Sequence, residues 1–249
     1  MTNHTFDIVV STRDNQEWIE TYLFSYIKFT SDPYRYNIRI LDSSTEENFA
    51  KLSDIVNTFD LNISIIKYNR TLHYHDIWTN GISICDNKFI LITHADIVYL
   101  YKNWDLFLID KINSNYNLIS VSVRSKNYPE SVFILSEKEI LTISKFEHSR
   151  ENQKLIEHGM IKENHKKTLG LEYYITDSIY YQKYGDIALL DNQEFIYHSY
   201  YSSRIKPDTS CPVPDGPETT YLSNRQPFNE TINTIKLFLQ SNNQLKDYF

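Results

Sequence analysis

The chain has 249 residues, a formal charge of −7, 41% hydrophobic and 23% charged residues, a balance that suits one large α/β domain or two small ones. An acidic chain without a basic stripe is a poor match for a phosphate backbone, which sets nucleic acid aside as a partner. No window approaches ~20 consecutive apolar residues, so no transmembrane segment is expected.

The first apolar run, Phe6 to Val10, is too short for the core of a signal peptide. Cys85 and Cys211 are far apart and form no paired ligand spacing. A reduced, cytoplasmic compartment follows from that usage, at most at the inner face of the membrane as a peripheral association.

In chain order, Phe6–Ser11 reads as a strand, and Trp18, Ile19, Tyr22, Leu23, Tyr26 and Ile27 recur on one helix face. Asn37–Leu41 is a second strand, followed by a helix carrying Phe49, Leu52, Val56 and Phe59. Asn62–Tyr68 is a third strand, with a short helix around Asp76–Cys85. Lys88–Thr93 is apolar throughout, as expected of a central strand covered on both faces. Trp104–Ile112 then reads as a helix and Leu118–Val123 as a strand. The alternation predicts an α/β fold, a mostly parallel sheet with helices on both faces.

The second half is less regular. Ser131–Leu135, Ile187–Leu190 and Glu194–His198 read as strands, and Glu137–Ser144 and Leu171–Tyr184 as helices. Pro207, Pro212, Pro214, Pro217 and Pro227 exclude regular structure over 204–227, a candidate lid, before a closing helix with Ile232, Ile235, Phe238 and Leu239. With no repeat and no clear linker, one domain over 1–249 is expected.

The turn after the first strand, Ser11-Thr12-Arg13-Asp14-Asn15, contains no glycine. A dinucleotide fingerprint or a P-loop needs glycines there so that backbone amides can approach phosphates. The phosphates of any bound nucleotide must therefore be neutralised differently, and a metal is the obvious means. The apolar strand ending at Thr93 runs into His94-Ala95-Asp96. In extended chain, residues two apart point the same way, so His94 and Asp96 could both face a site at the carboxyl end of the sheet. The same pair would equally serve as a core histidine and a helix cap. His73-Tyr74-His75 has metal-like spacing without a third ligand nearby, and Trp18, Trp78 and Trp104 read as core.

Over roughly residues 5–200 the order of these segments resembles the A-type glycosyltransferases, the inverting family-two members in particular. The resemblance rests on Ile8-Val9-Val10-Ser11-Thr12-Arg13-Asp14, Leu41-Asp42-Ser43-Ser44-Thr45, Asn80-Gly81, His94-Ala95-Asp96 and Trp104. It implies a single Rossmann-like GT-A domain, with residues 1–115 as the nucleotide-sugar half, 116–203 as the acceptor half, and 204–249 as lid and closing helix. It also implies a soluble, metal-assisted transferase moving a sugar from a nucleoside-diphosphate donor to a hydroxyl of a glycan or glycolipid, in bacterial surface-polysaccharide synthesis.

The residue roles follow from the same resemblance. Thr12, Arg13 and Asn80 would line the nucleotide cradle, and Asp42 would accept from nucleobase or ribose. Asp96 would coordinate a divalent cation with His94 and His198. His94 stands where the family usually has an acid, which favours Mn²⁺ over Mg²⁺; alternatively His94 contacts the donor and leaves the metal to Asp96. Asp177, or in second place Glu172, would be the general base. Arg204 and Lys206 would face the leaving diphosphate. Two further readings are a catalytically silent nucleotide- or glycan-binding scaffold, and a nucleotidyltransferase, against which the glycine-free first turn counts.

Overall fold

A computed structural model describes residues 5–69, 80–99, 101–116, 118–122, 133–139, 141, 187–191 and 196–198. The strands are β1 (Phe6–Thr12), β2 (Asn37–Asp42), β3 (Ile63–Lys67), β4 (Phe89–His94), β5 (Ile97–Tyr99), β6 (Leu118–Ser122), β7 (Phe133–Glu137), β8 (Ile187–Asp191) and β9 (Ile196–His198). The helices are α1 (Gln16–Phe29), α2 (Glu46–Val56) and α3 (Trp104–Asn113), with a further helical turn at 80–83.

A seven-stranded sheet runs in the order β3-β2-β1-β4-β7-β6-β8, and β5 and β9 form a separate antiparallel pair. β1, β2, β3 and β4 are mutually parallel, β7 is antiparallel to both β4 and β6, and β8 returns parallel to β6. The expected mostly parallel sheet is present, with one reversed strand at its middle. That reversal follows from the chain: no helix is read between β6 and β7, and a parallel neighbour needs a crossover of a dozen residues or more.

β1 explains why the sheet is covered on both sides. Phe6, Ile8 and Val10 join one core with Tyr22, Tyr26, Leu52, Trp104 and Leu108 from α1, α2 and α3. Val9, between them, joins a second core on the opposite face with Leu41, Ile82, Cys85, Ile90, Ile92, Ile134 and Leu141. Neighbouring strands keep the same alternation, since Ile8 pairs with Leu91 and Val9 with Ile92. A continuous apolar run is what a strand buried on both faces needs.

Local chemistry sets the helix ends. Thr45 Oγ1 accepts from Asn48 N–H at 3.4 Å, and Glu46 and Glu47 occupy the positive first turn of α2. At the end of α1, the N–H and hydroxyl of Thr30 both donate to the Tyr26 carbonyl, and the same hydroxyl accepts from Trp104 Nε1 at 3.0 Å. Trp104 stacks on Tyr99 with ring centroids 4.4 Å apart and is fully buried, a core anchor for α3.

Two buried carboxylates hold the frame away from the carboxyl ends of the strands. Asp7 accepts from the backbone N–H of Asp86 (2.8 Å) and Asn87 (2.9 Å) and from the side-chain amides of Asn37 and Asn87. Asp105, in the first turn of α3, accepts from Ser31 N–H at 2.9 Å, from the Ser31 hydroxyl and from the Tyr36 hydroxyl at 2.9 Å. Each is fully buried and takes several donors, which is how a buried polar group is satisfied inside a protein.

Candidate active site

The carboxyl ends of β1, β2, β3 and β4 bring together Thr12, Asp42, Lys67 and His94. In an open α/β sheet this is the edge where ligands bind. The register aligns Thr12 with Asp42, Asp42 with Lys67, and Ser11 with His94.

The β2–α2 turn is tied to the β1–α1 turn. Ser43 N–H donates to the Thr12 carbonyl at 3.2 Å, and Asp14 N–H donates to Ser44 Oγ at 2.7 Å. Asp14 Oδ1 accepts in return from Thr45 N–H at 3.2 Å and from the Asn48 amide at 2.7 Å. Asp14 holds a left-handed backbone, φ 52°, a conformation that Asp tolerates better than most residues. The glycine-free first turn is thus braced by side chains.

Behind these turns, Asp42 has 0% exposure. Its carboxylate accepts from the Ser44 hydroxyl at 2.5 Å and from Ser44 N–H at 3.2 Å, with Lys67 Nζ 3.6 Å away. Burial pushes its pKa above the usual carboxylate range, against the pull of the Ser44 hydrogen bonds and the Lys67 ammonium. Lys67 also donates to the Ser44 carbonyl, lies 3.8 Å from Glu46 Oε1, and has its Nζ 4.9 Å from the Phe49 ring centroid.

An open cleft of about 300 Å³ lies over this group, walled by Ser43 to Glu46 and by Lys67, Tyr68 and Asn69. The Tyr68 side chain is hydrogen-bonded to that of Asn80, which brings one expected cradle residue to the cleft wall. Thr12 is 5% exposed, and its Oγ1 has no hydrogen-bond partner among the described residues. Arg13 follows, half-buried, in the adjoining turn.

On the other side of β1, His94 closes β4 half-buried, and Asp96 lies 6% exposed in the turn to β5. Ala95 and Asp96 are a turn, so the alternation expected of an extended segment stops at His94. The β5–β9 pairing sets His198 opposite Ile97, which brings the backbone of a residue distant in sequence next to Asp96. Among the described residues, no three His, Cys, Asp or Glu side chains are grouped as metal ligands. Glu172, Asp177, Arg204 and Lys206 lie outside the described residues, as do His73, His75 and the 204–227 segment.

Lys67, Glu46 and Ser44 are the site residues that sequence reasoning missed. A lysine ending the third strand, level with an aspartate ending the second, was the available signal. Asn80-Gly81 finds its reason in packing. A Cβ on Gly81 would lie 2.6 Å from Val9 Cγ1, so the helical turn sits directly on the sheet.

The seven-stranded order, with its parallel β3-β2-β1-β4 half and the small β5–β9 pair, defines a GT-A-like α/β fold. No protein-family model matches the chain, and no curated protein matches it. Among solved structures it is similar to the mannosyltransferase PcManGT from Pyrobaculum calidifontis in complex with GDP-Man and Mn²⁺, at 11% identity and a TM-score of 0.60 over 96% of this chain and 70% of that one. It is likewise similar to S. aureus TarS 1-349 in complex with UDP-GlcNAc, at 11% identity and a TM-score of 0.56 over 94% of this chain and 66% of that one. A synthase of 4-diphosphocytidyl-2C-methyl-D-erythritol from Anaerococcus prevotii matches at 10% identity with a TM-score of 0.50, over 83% and 93%. The chain spans 62% of TarS 1-349 in another match and 38% of TarS in a third. At these identities the likeness concerns the fold.

Proposed function

We propose that the protein is a glycosyltransferase that moves a sugar from a nucleoside-diphosphate donor to a hydroxyl of a glycan or glycolipid, with inversion and metal assistance. The observation that carries the reading is the strand-end cleft beside Asp42 and Lys67, with Asp96 in the turn after β4, on the other side of β1. The solved GT-A structures that hold UDP-GlcNAc or GDP-Man support it.

In this reading the nucleoside occupies the cleft, with Thr12, Arg13 and Asn80 as its cradle. Asp96, His94 and His198 would hold a divalent cation. The chemistry of this donor set fits the group: one carboxylate and two imidazoles suit Mn²⁺ better than the hard, oxygen-preferring Mg²⁺. Bound there, the ion would supply Lewis-acid stabilisation of the departing diphosphate. Arg204 and Lys206 would add hydrogen-bond donors to the same phosphates. Asp177, with Glu172 second, would take the proton of the acceptor hydroxyl as its oxygen attacks the anomeric carbon. A base so positioned contributes ~10²–10⁴ in rate. Assembly of a bacterial surface polysaccharide is the setting this chemistry serves.

The test is a thermal-shift series with UDP, GDP, dTDP and CDP, each with and without Mn²⁺, on wild type and Asp96→Asn. A ligand at ~100 times its dissociation constant adds ~2.7 kcal/mol of stability. The expected result is a metal-dependent shift in wild type that Asp96→Asn loses. Nucleotide binding without sugar transfer would favour a silent binding module. No shift with any nucleotide would remove the donor site.

A further inference from the structure

Resting on the donor-site reading, we propose that the cleft selects nucleobases that present a carbonyl beside a ring N–H, with Lys67 donating to the carbonyl and Glu46 accepting from the N–H. Uracil and guanine share that edge.

Asp42, the acceptor the sequence offers for a base, is held from within. Its carboxylate is fully buried, accepts from the hydroxyl and N–H of Ser44, and is paired with Lys67. It therefore acts on a ligand through Lys67, as a positioning residue. Lys67 is the group it positions. The ammonium carries three donors. One goes to the Ser44 carbonyl, while Asp42 at 3.6 Å and Glu46 at 3.8 Å are ion-pair partners beyond hydrogen-bond length, so the ammonium keeps donor capacity for a ligand acceptor.

Depth gives the cleft a polarity. The Lys67 side chain is 16% exposed and that of Glu46 83%, with Nζ and Oε1 3.8 Å apart. A base entering with the edge remote from its ribose passes the carboxylate at the rim and reaches the ammonium at depth. Uracil O4 and guanine O6 are acceptors at that remote position, whereas cytosine N4 and adenine N6 are donors. An amino group there faces the ammonium donor-to-donor, and the ring nitrogen beside it faces a carboxylate acceptor-to-acceptor.

Charge argues against phosphate as the occupant. The charged groups in the cleft wall are one ammonium, Lys67, and one carboxylate, Glu46, so the cleft has no cationic excess and suits a neutral heterocycle carrying both donors and acceptors. Tyr68 supplies an aromatic ring in the cleft wall on which such a heterocycle can stack.

Calorimetric titration of the full chain with UDP, GDP, CDP and ADP, in the presence of Mn²⁺, tests the assignment. UDP and GDP should bind at least ~10-fold more tightly than CDP and ADP, and Lys67→Met should weaken UDP and GDP by ~10–100-fold, the worth of a charged hydrogen bond, without weakening CDP or ADP. Glu46 is exposed, so Glu46→Ala keeps the fold even if the lysine variant does not. It should cost UDP and GDP ~2–10-fold and leave CDP unchanged. Equal binding of all four nucleotides overturns the base assignment while leaving the donor site standing, as does a Lys67→Met loss common to all four. No binding of any nucleotide to wild type overturns the donor site and the base assignment together.

Discussion

Gly81 approaches Val9 so closely that a methyl group on its Cα would lie 2.6 Å from Val9 Cγ1 and 3.1 Å from Leu41 Cδ1. Both obstacles are branched side chains on buried strands, with little freedom to move. Gly81→Ala should therefore destabilise by ~1–3 kcal/mol through overpacking, offset only in part by the ~0.4–1 kcal/mol gained by restricting the unfolded chain. Urea denaturation reads the difference. An unchanged or raised midpoint would show that the helical turn at 80–83 lifts freely from the sheet.

Cys85 is buried beneath that turn, its Sγ donating to the Gly81 carbonyl at 3.1 Å. Burial, reinforced by the nearby Asp7 carboxylate, pushes the thiol pKa up to about 12. Thiolate is the reactive form, so the native thiol should resist alkylation at mildly alkaline pH. In a Cys211→Ser background, one equivalent of label should enter in denaturant and almost none in buffer. Rapid native labelling would place Cys85 in contact with solvent.

Asp105 answers three donors from the loop after α1. Asp105→Ala leaves the buried Tyr36 hydroxyl without its acceptor, at ~1–3 kcal/mol, and also removes the two bonds from Ser31, an exposed residue. A total loss near ~3 kcal/mol in chemical denaturation is expected. A loss below ~1 kcal/mol would mean that solvent reaches these donors.

Asp42 sets a pH signature. Its folded pKa is raised, chiefly by burial, so folding favours the protonated carboxyl. The contribution to stability is then largest below the ordinary carboxylate pKa and is lost as pH rises through the raised folded value. Asp42→Asn cannot titrate, so the stability of wild type minus variant should fall across that window and level off above it. Denaturation midpoints at a series of pH values measure the difference. A difference that grows with pH would mean that pairing with Lys67 outweighs burial.

The parallel half of the sheet was legible because its strands are apolar runs separated by helix-period segments. β1, β2, β3 and β4 begin and end within a residue or two of their expected bounds. β5 was not legible, since three residues, Ile97 to Tyr99, cannot display a period and their pairing with β9 bridges a long separation. The short link from β6 implies the reversal of β7, but its second pairing, with β4, was equally hidden. Nothing in the sequence marks Asp7 and Asp105 for burial, which only their gathered donors explain. At the candidate site the His94 and Asp96 segment was visible as a polar end to an apolar strand. The Lys67–Asp42 pair, 25 residues apart, becomes visible only when β2 and β3 lie side by side.

Asp7 has a consequence for the opposite end of the sheet. It stands at the amino end of β1, and its carboxylate grips the two backbone amides that lead into β4. A one-residue slip between these strands would exchange every inward and outward side chain of β4. It would also carry His94 and Asp96 out of step with Thr12. Asp7 is thus the datum from which the carboxyl ends of β1 and β4 are aligned, set at the opposite end of the sheet from them.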